Sequence, residues 1–87
     1  MAVAGALQLV IHVWEIDPQT GKRASKWPTL THTFWGASRE EAEDVLEAHM
    51  AIDAFLGDAL TKERWDGIAL EWQGWILVGG KEIPWDG

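Results

Sequence analysis

Four aliphatic side chains, Leu7, Leu9, Ile11 and Val13, occupy every second position near the start of this chain. An unbroken row at a spacing of two is the signature of a strand with one face turned to a core. The intervening positions, Gln8, Val10, His12, Trp14 and Ile16, are not cleanly polar, so the second face of this strand (residues 7–16) carries apolar surface as well. Asp17-Pro18-Gln19-Thr20-Gly21-Lys22 follows. Proline presets φ for a turn, Asp bonds back onto it and Gly suits a left-handed corner, so a hairpin is expected. Residues 23–28 contain Pro28, which cannot donate to a ladder, and read as a frayed or irregular edge. Alternation resumes over residues 29–35. With Asp17 opposite Lys22, Leu30, His32 and Phe34 share a face with the aliphatic row, and a bulge near Pro28 is the feature that could shift that register.

Ser38 with Glu41 three residues on is a capping box, and Glu40, Glu41, Glu43 and Asp44 suit the positive end of a helix dipole. Val45, Leu46, Ile52, Phe55, Leu56, Ala59 and Leu60 then fall on one arc of a helical wheel. They predict one amphipathic helix of about five turns, with a break or tightening at Gly57. Trp65-Asp66-Gly67 reads as its exit turn. Residues 68–72 alternate as a strand, Gln73-Gly74 reads as a short reversal, and residues 75–78 return, which would set Trp72 opposite Trp75 and Leu70 opposite Leu77. Residues 79–87 read as a tail from which Ile83 and Trp85 tuck against the body.

The expected architecture is a single α+β domain over residues 1–87, with a structured body at 6–78. It has two layers: an antiparallel four-stranded sheet in β-β-α-β-β order, with one long helix packed on one face. At 87 residues such a domain buries only about 60–65% of its unfolded surface, so each large side chain matters.

Composition narrows the function classes. An apolar content of 47% with seven Trp excludes disorder, and the absence of Cys excludes disulfides, thiolate metal sites and a Cys nucleophile. Fourteen acidic against seven basic side chains disfavour direct nucleic-acid binding. No apolar run is long enough to span a membrane, and residues 1–7 lack the positive flank of a secretory leader, so a cytoplasmic location is expected.

One helix covers one sheet face. The other would carry Val10, Trp14, Ile16, Trp35 and Ile76, and an apolar patch of that kind marks an interaction site, most simply a homodimer or a protein partner. The competing reading is that Lys22, Arg23, Lys26 and the tail fold over this face. Glu40, Glu43, Asp44 and Glu47 form an acidic helix stripe, either a solvated face or a surface offered to a basic partner by an inhibitor or adaptor of phage or mobile-element type. His49 sits on the apolar arc with Asp53 four residues on, and His32 faces the helix. These three could form a small enzyme or metal site, or a satisfied structural cluster. No His-x-x-x-His spacing, nucleophile constellation or phosphate loop occurs, so no catalytic residue, metal or cofactor is assigned. The Asp-Pro-x-Thr-Gly-Lys turn and Ser-x-x-Glu cap are local devices of many folds and identify no family. The expectation is a non-enzymatic, acidic binding module acting through protein contact on a Trp-bearing sheet face.

Overall fold

The computed structural model describes residues 6–87; the expectation that residues 1–7 form no secretory leader falls largely on residues 1–5, outside them. Among the described residues the chain forms an antiparallel five-stranded sheet with two helices on one face, an α+β arrangement. Strand β1 (Leu7–Glu15) is followed by β2 (Leu30–Gly36), α1 (Arg39–Ile52), α2 (Ala54–Thr61), β3 (Arg64–Trp65), β4 (Ile68–Val78) and β5 (Lys81–Trp85). The sheet runs β2-β1-β4, and both β3 and β5 pair with the outer edge of β4. Among the described residues no helix is long and apolar enough to cross a membrane.

The aliphatic row of β1 is the centre of the core: Leu9, Ile11 and Val13 are wholly buried and Leu7 nearly so. Helix α1 covers β2 and β1, while α2 covers β3 and β4. Phe34, Leu46, Leu56, Leu70, Ile76 and Trp85 complete the apolar interior.

The hairpin forms as its residues dictate. Asp17 N–H donates to Lys22 O at 2.8 Å, Asp17 Oδ1 accepts from Gln19 N–H, and Gly21 takes φ +70°. Ile16 bridges Arg23 in the register of that turn. Extended further, that register would set Val13 opposite Lys26; instead Val13 faces Leu30, four residues on. Ala24 N–H still donates to Glu15 O at 2.9 Å and Thr29 N–H to Val13 O at 2.7 Å, and residues 25–28 between them leave the ladder as an excursion. Because the displacement is an even number, Leu30, His32 and Phe34 keep their place on the β1 core face.

The helical segment is jointed at Asp53, not at Gly57. Asp53 is extended (φ −108°, ψ 98°); its N–H donates to His49 O, ending α1, and its carboxylate accepts from Leu56 N–H, starting α2. One residue closes one helix and opens the next. Gly57 serves a different purpose: a Cβ there would lie 2.8 Å from Met50 O, so its bare backbone lets α2 approach α1.

The largest departure from expectation is at Gln73-Gly74, where there is no reversal. β4 runs straight through, and the turn falls at Gly79-Gly80, both with positive φ, joining Val78 to Lys81 as a two-residue hairpin. Asp66-Gly67, also at positive φ, makes the same kind of loop between β3 and β4. The C-terminal residues are thus a fifth strand rather than a loose tail. A continuous strand puts Trp72 and Trp75 on opposite faces. Ile76 and Val78 therefore turn to the helices, and Trp75 and Leu77 turn away from them. The sheet has five strands and the helical layer two helices, in place of four and one.

Gly74 is required by its neighbour. A Cβ there would stand 2.6 Å from a Trp85 ring carbon and 3.1 Å from Ile11 Cδ1, so the indole lies flat across the glycine. Gly74→Ala is expected to destabilise the domain by about 1–3 kcal/mol through overpacking. The checks are a lower urea midpoint and displacement of the Trp85 indole N–H resonance; an unchanged midpoint would contradict the packing described.

Candidate functional site

Two regions gather the side chains singled out from sequence: the sheet face turned away from the helices, and the groove between β2 and the helix joint.

On the open face, cross-strand rows are set by register. Thr33, Val10, Trp75 and Pro84 form one row from β2 to β5; Trp35, Gln8, Leu77 and Glu82 form the next. His12 stands between Trp14 and Trp75, with ring centroids 5.7 and 5.3 Å away, and its Nδ1 lies 2.8 Å from Thr31 Oγ1. A hollow of about 200 Å³ opens between Val10, His12, Trp75 and Leu77.

The five residues expected to make an uncovered patch are distributed differently. Val10 is half-buried on the open face, and Trp35 is 57% exposed beside the sheet edge. Ile16 is half-buried at the hairpin, bridged to Arg23. Ile76 is only 4% exposed and belongs to the core, because β4 does not reverse before it; Leu77 takes its place on the open face.

Trp14 is on the open face but only 5% exposed. The Arg23 guanidinium lies 3.6 Å from its ring centroid and is held there by Glu71, the β4 residue opposite Trp14. The Trp14 indole N–H donates to Lys26 O at 3.3 Å. The excursion of residues 25–28, through the Lys26 carbonyl, and the clamped Arg23 thus roof one end of this face. The competing reading expected the Lys26 side chain there too, but its ammonium lies over Trp27, 5.2 Å from that ring's centroid. The C-terminal residues widen the sheet instead of covering it. A cation held over an indole is favourable by about 0.5–2 kcal/mol as solvent is withdrawn.

The polar trio does converge, with different pairings. Asp53 Oδ2 lies 3.7 Å from His32 Nε2, not beside His49, because its other oxygen is committed to capping α2. His49 is exposed, and its Nδ1 lies 3.3 Å from Val45 O one turn back. Both rings pack on Phe34, His32 stacked at 5.6 Å and His49 edge-on at 5.1 Å. Each polar group has a local partner, and among the described residues no group of three or more His, Asp or Glu could hold a metal ion.

Of the acidic stripe, Glu40, Asp44 and Glu47 are exposed, but Glu43 is engaged. Its Oε2 accepts from the Trp85 indole N–H at 2.7 Å and from Arg39 Nε at 3.1 Å. Sequence gave no pairwise sign of this contact, since 42 residues separate Glu43 from Trp85. The bond from Trp85, then that from Arg39, holds the Glu43 carboxyl below its ordinary value of 4.5. A carboxyl depressed on folding contributes stability above its ordinary value and loses it as pH falls through the folded value. Glu43→Gln is therefore expected to be less stable than the parent at neutral pH, with the difference shrinking below about pH 4.5. Urea midpoints in steps of pH check this; parallel acid limbs for the two proteins would contradict it.

In comparisons with family models, with curated proteins and with solved structures, nothing matches this chain.

Proposed function

We propose that this protein is a non-enzymatic binding module that works by protein–protein contact, and that the contact joins two copies of the chain along the free edge of β2, with the adjoining open face. The observation that carries this reading is the character of that edge. Among the described residues no strand pairs with the outer side of β2. Natural sheets blunt such an edge with charges, proline or a bulge. β2 reads Leu-Thr-His-Thr-Phe-Trp-Gly and has neither proline nor Lys, Arg, Asp or Glu.

The edge also matches itself. Leu70 N–H bonds outward to Glu63 O, and Ala69 O accepts inward from Ile16 N–H, which sets the alternation of backbone groups along β4. Carried through the β1–β4 and β1–β2 registers, that alternation turns the backbone groups of Thr31, Thr33 and Trp35 outward. An antiparallel partner centred on Thr33 would face Thr33 with Thr33 and Thr31 with Trp35, each pair exchanging two hydrogen bonds. Thr–Thr and aromatic–β-branched pairs are favourable cross-strand neighbours. The net charge of −7 opposes association, but the exposed Glu40, Asp44 and Glu47 lie on α1 in the helical layer and none is on β2 itself. Two-fold pairing is also the commonest way for a chain to meet itself.

Sedimentation at micromolar concentration tests the reading. The parent chain is expected to be dimeric, more firmly so as salt screens the like charge of the two copies, and Thr33→Lys to be monomeric with an unchanged circular dichroism spectrum. A monomeric parent, or a Thr33→Lys protein that dimerises equally well, would overturn it.

A further inference from the structure

The opposite margin of the sheet has a different character. β3 pairs with β4 only at Ile68 and Ala69, and β5 only from Gly74 onward, so the outer edge of β4 between them has no strand partner. The gap opens into a cleft of about 440 Å³, within the size range of small-ligand sites. Trp72 and Trp85 line it from the helix side of the sheet, Trp75 and Pro84 from the open side, and Glu63 and Asp86 supply its charge; among the described residues no basic side chain lines it. Trp72 and Trp85 lie with ring centroids 5.6 Å apart and planes inclined at 49°. Neither Glu63 nor Asp86 takes part in an ion pair among the described residues.

Glu63 is placed there against its backbone preference. It follows the C-cap Lys62 of α2 with φ +55°, the left-handed position that helices normally give to glycine or asparagine. Its carbonyl accepts from Leu70 N–H at 2.8 Å, which pins the conformation without requiring a side chain at all. A glycine would satisfy that backbone with less strain, and the chain instead carries a carboxylate at the lining of this cleft.

We propose that this cleft binds an organic cation carried on an aliphatic stem, an ammonium of the lysine, methyl-lysine or choline kind. Indole faces attract cations through their quadrupole, and the effect strengthens as water is excluded. The two carboxylates supply full countercharge at the rim, and the Trp and Pro surfaces accept the methylenes of the stem. The negative net charge raises the local concentration of cations around the whole molecule. This site lies on the far side of β1 and β4 from the β2 edge, so its occupancy does not depend on dimerisation.

The test is a titration of the full chain with Nα-acetyl-trimethyl-lysine amide, Nα-acetyl-lysine amide and choline, with Nα-acetyl-norleucine amide as the neutral control. It is followed through the indole N–H resonances. The cations are expected to shift the Trp72, Trp75 and Trp85 signals and leave Trp14 and Trp27 in place, while the norleucine compound shifts none. Glu63→Gln and Asp86→Asn are each expected to weaken binding roughly threefold, the scale of one exposed charge contact. Glu63→Gly is expected to weaken binding while raising the unfolding temperature, a combination that a purely structural Glu63 would not produce. Tighter binding of trimethyl-lysine amide than of choline assigns the site to a peptide side chain, and the reverse to a free amine. Absence of shifts at millimolar cation, equal binding of the norleucine compound, or unchanged affinity in both carboxamide variants would overturn the proposal.

Discussion

The packing of Trp85 across Gly74 holds the layers of this small domain together. The indole packs against Gly74, where Ile11 of the central strand also closes on the bare backbone, and donates its N–H to Glu43 on α1. One side chain therefore links β5, β4, β1 and the helical layer. A domain of this size has little apolar area to spare, and a tryptophan buried to 8% exposure is a large share of it. The same contact explains why a carboxylate in the acidic stripe is not simply solvated, and it sets one wall of the cleft at the sheet margin.

Much of the fold was legible because period-two patterning is a local signal that survives irregularities of even length. The β1 row, the hairpin and the placement of Leu30, His32 and Phe34 all follow from it, even though residues 25–28 leave the ladder. The same reasoning failed at Gln73-Gly74. A glycine inside an alternating run has two readings, a turn or a close approach, and here a distant indole decides for the second. Reading a turn there inverted every facing beyond it, which is why Ile76 and Leu77 exchanged faces. The turn itself carried a signature at Gly79-Gly80, a two-residue loop with both φ positive. Asp53 was likewise visible as a polar residue bordering the apolar arc, and its capping chemistry outweighs the weak helix preference of Gly57.

The candidate site was legible in part. The convergence of His32, His49 and Asp53 follows from helix and strand periodicity, but their partners do not, because a carboxylate has several ways to be satisfied and α2 uses one of them. Trp14 and Trp35 illustrate the same limit on the sheet face. Both are apolar positions of the outward row; one is roofed by Arg23 and the excursion, and the other, beside an unpaired edge, is open. What covers an aromatic ring is a tertiary fact that a period cannot encode.

The order in which strands meet also has a kinetic side. β1, β2 and α1 are neighbours in the chain, as are α2, β3, β4 and β5, and each group contains its own short hairpins. The two groups join along β1 and β4, where Gln8 meets Leu77. Closing so long a loop is entropically unfavourable until the partners on both sides are in place. The molecule is in that sense two sequence-local halves zipped along a seam of β1 and β4 and joined again in the helical layer by α1 against α2 and by the Glu43–Trp85 bond, with the helix joint at Asp53 near the boundary between them. A backbone cut at that joint would leave fragments that each keep their local turns and carry one side of the seam, the arrangement that fragment complementation exploits.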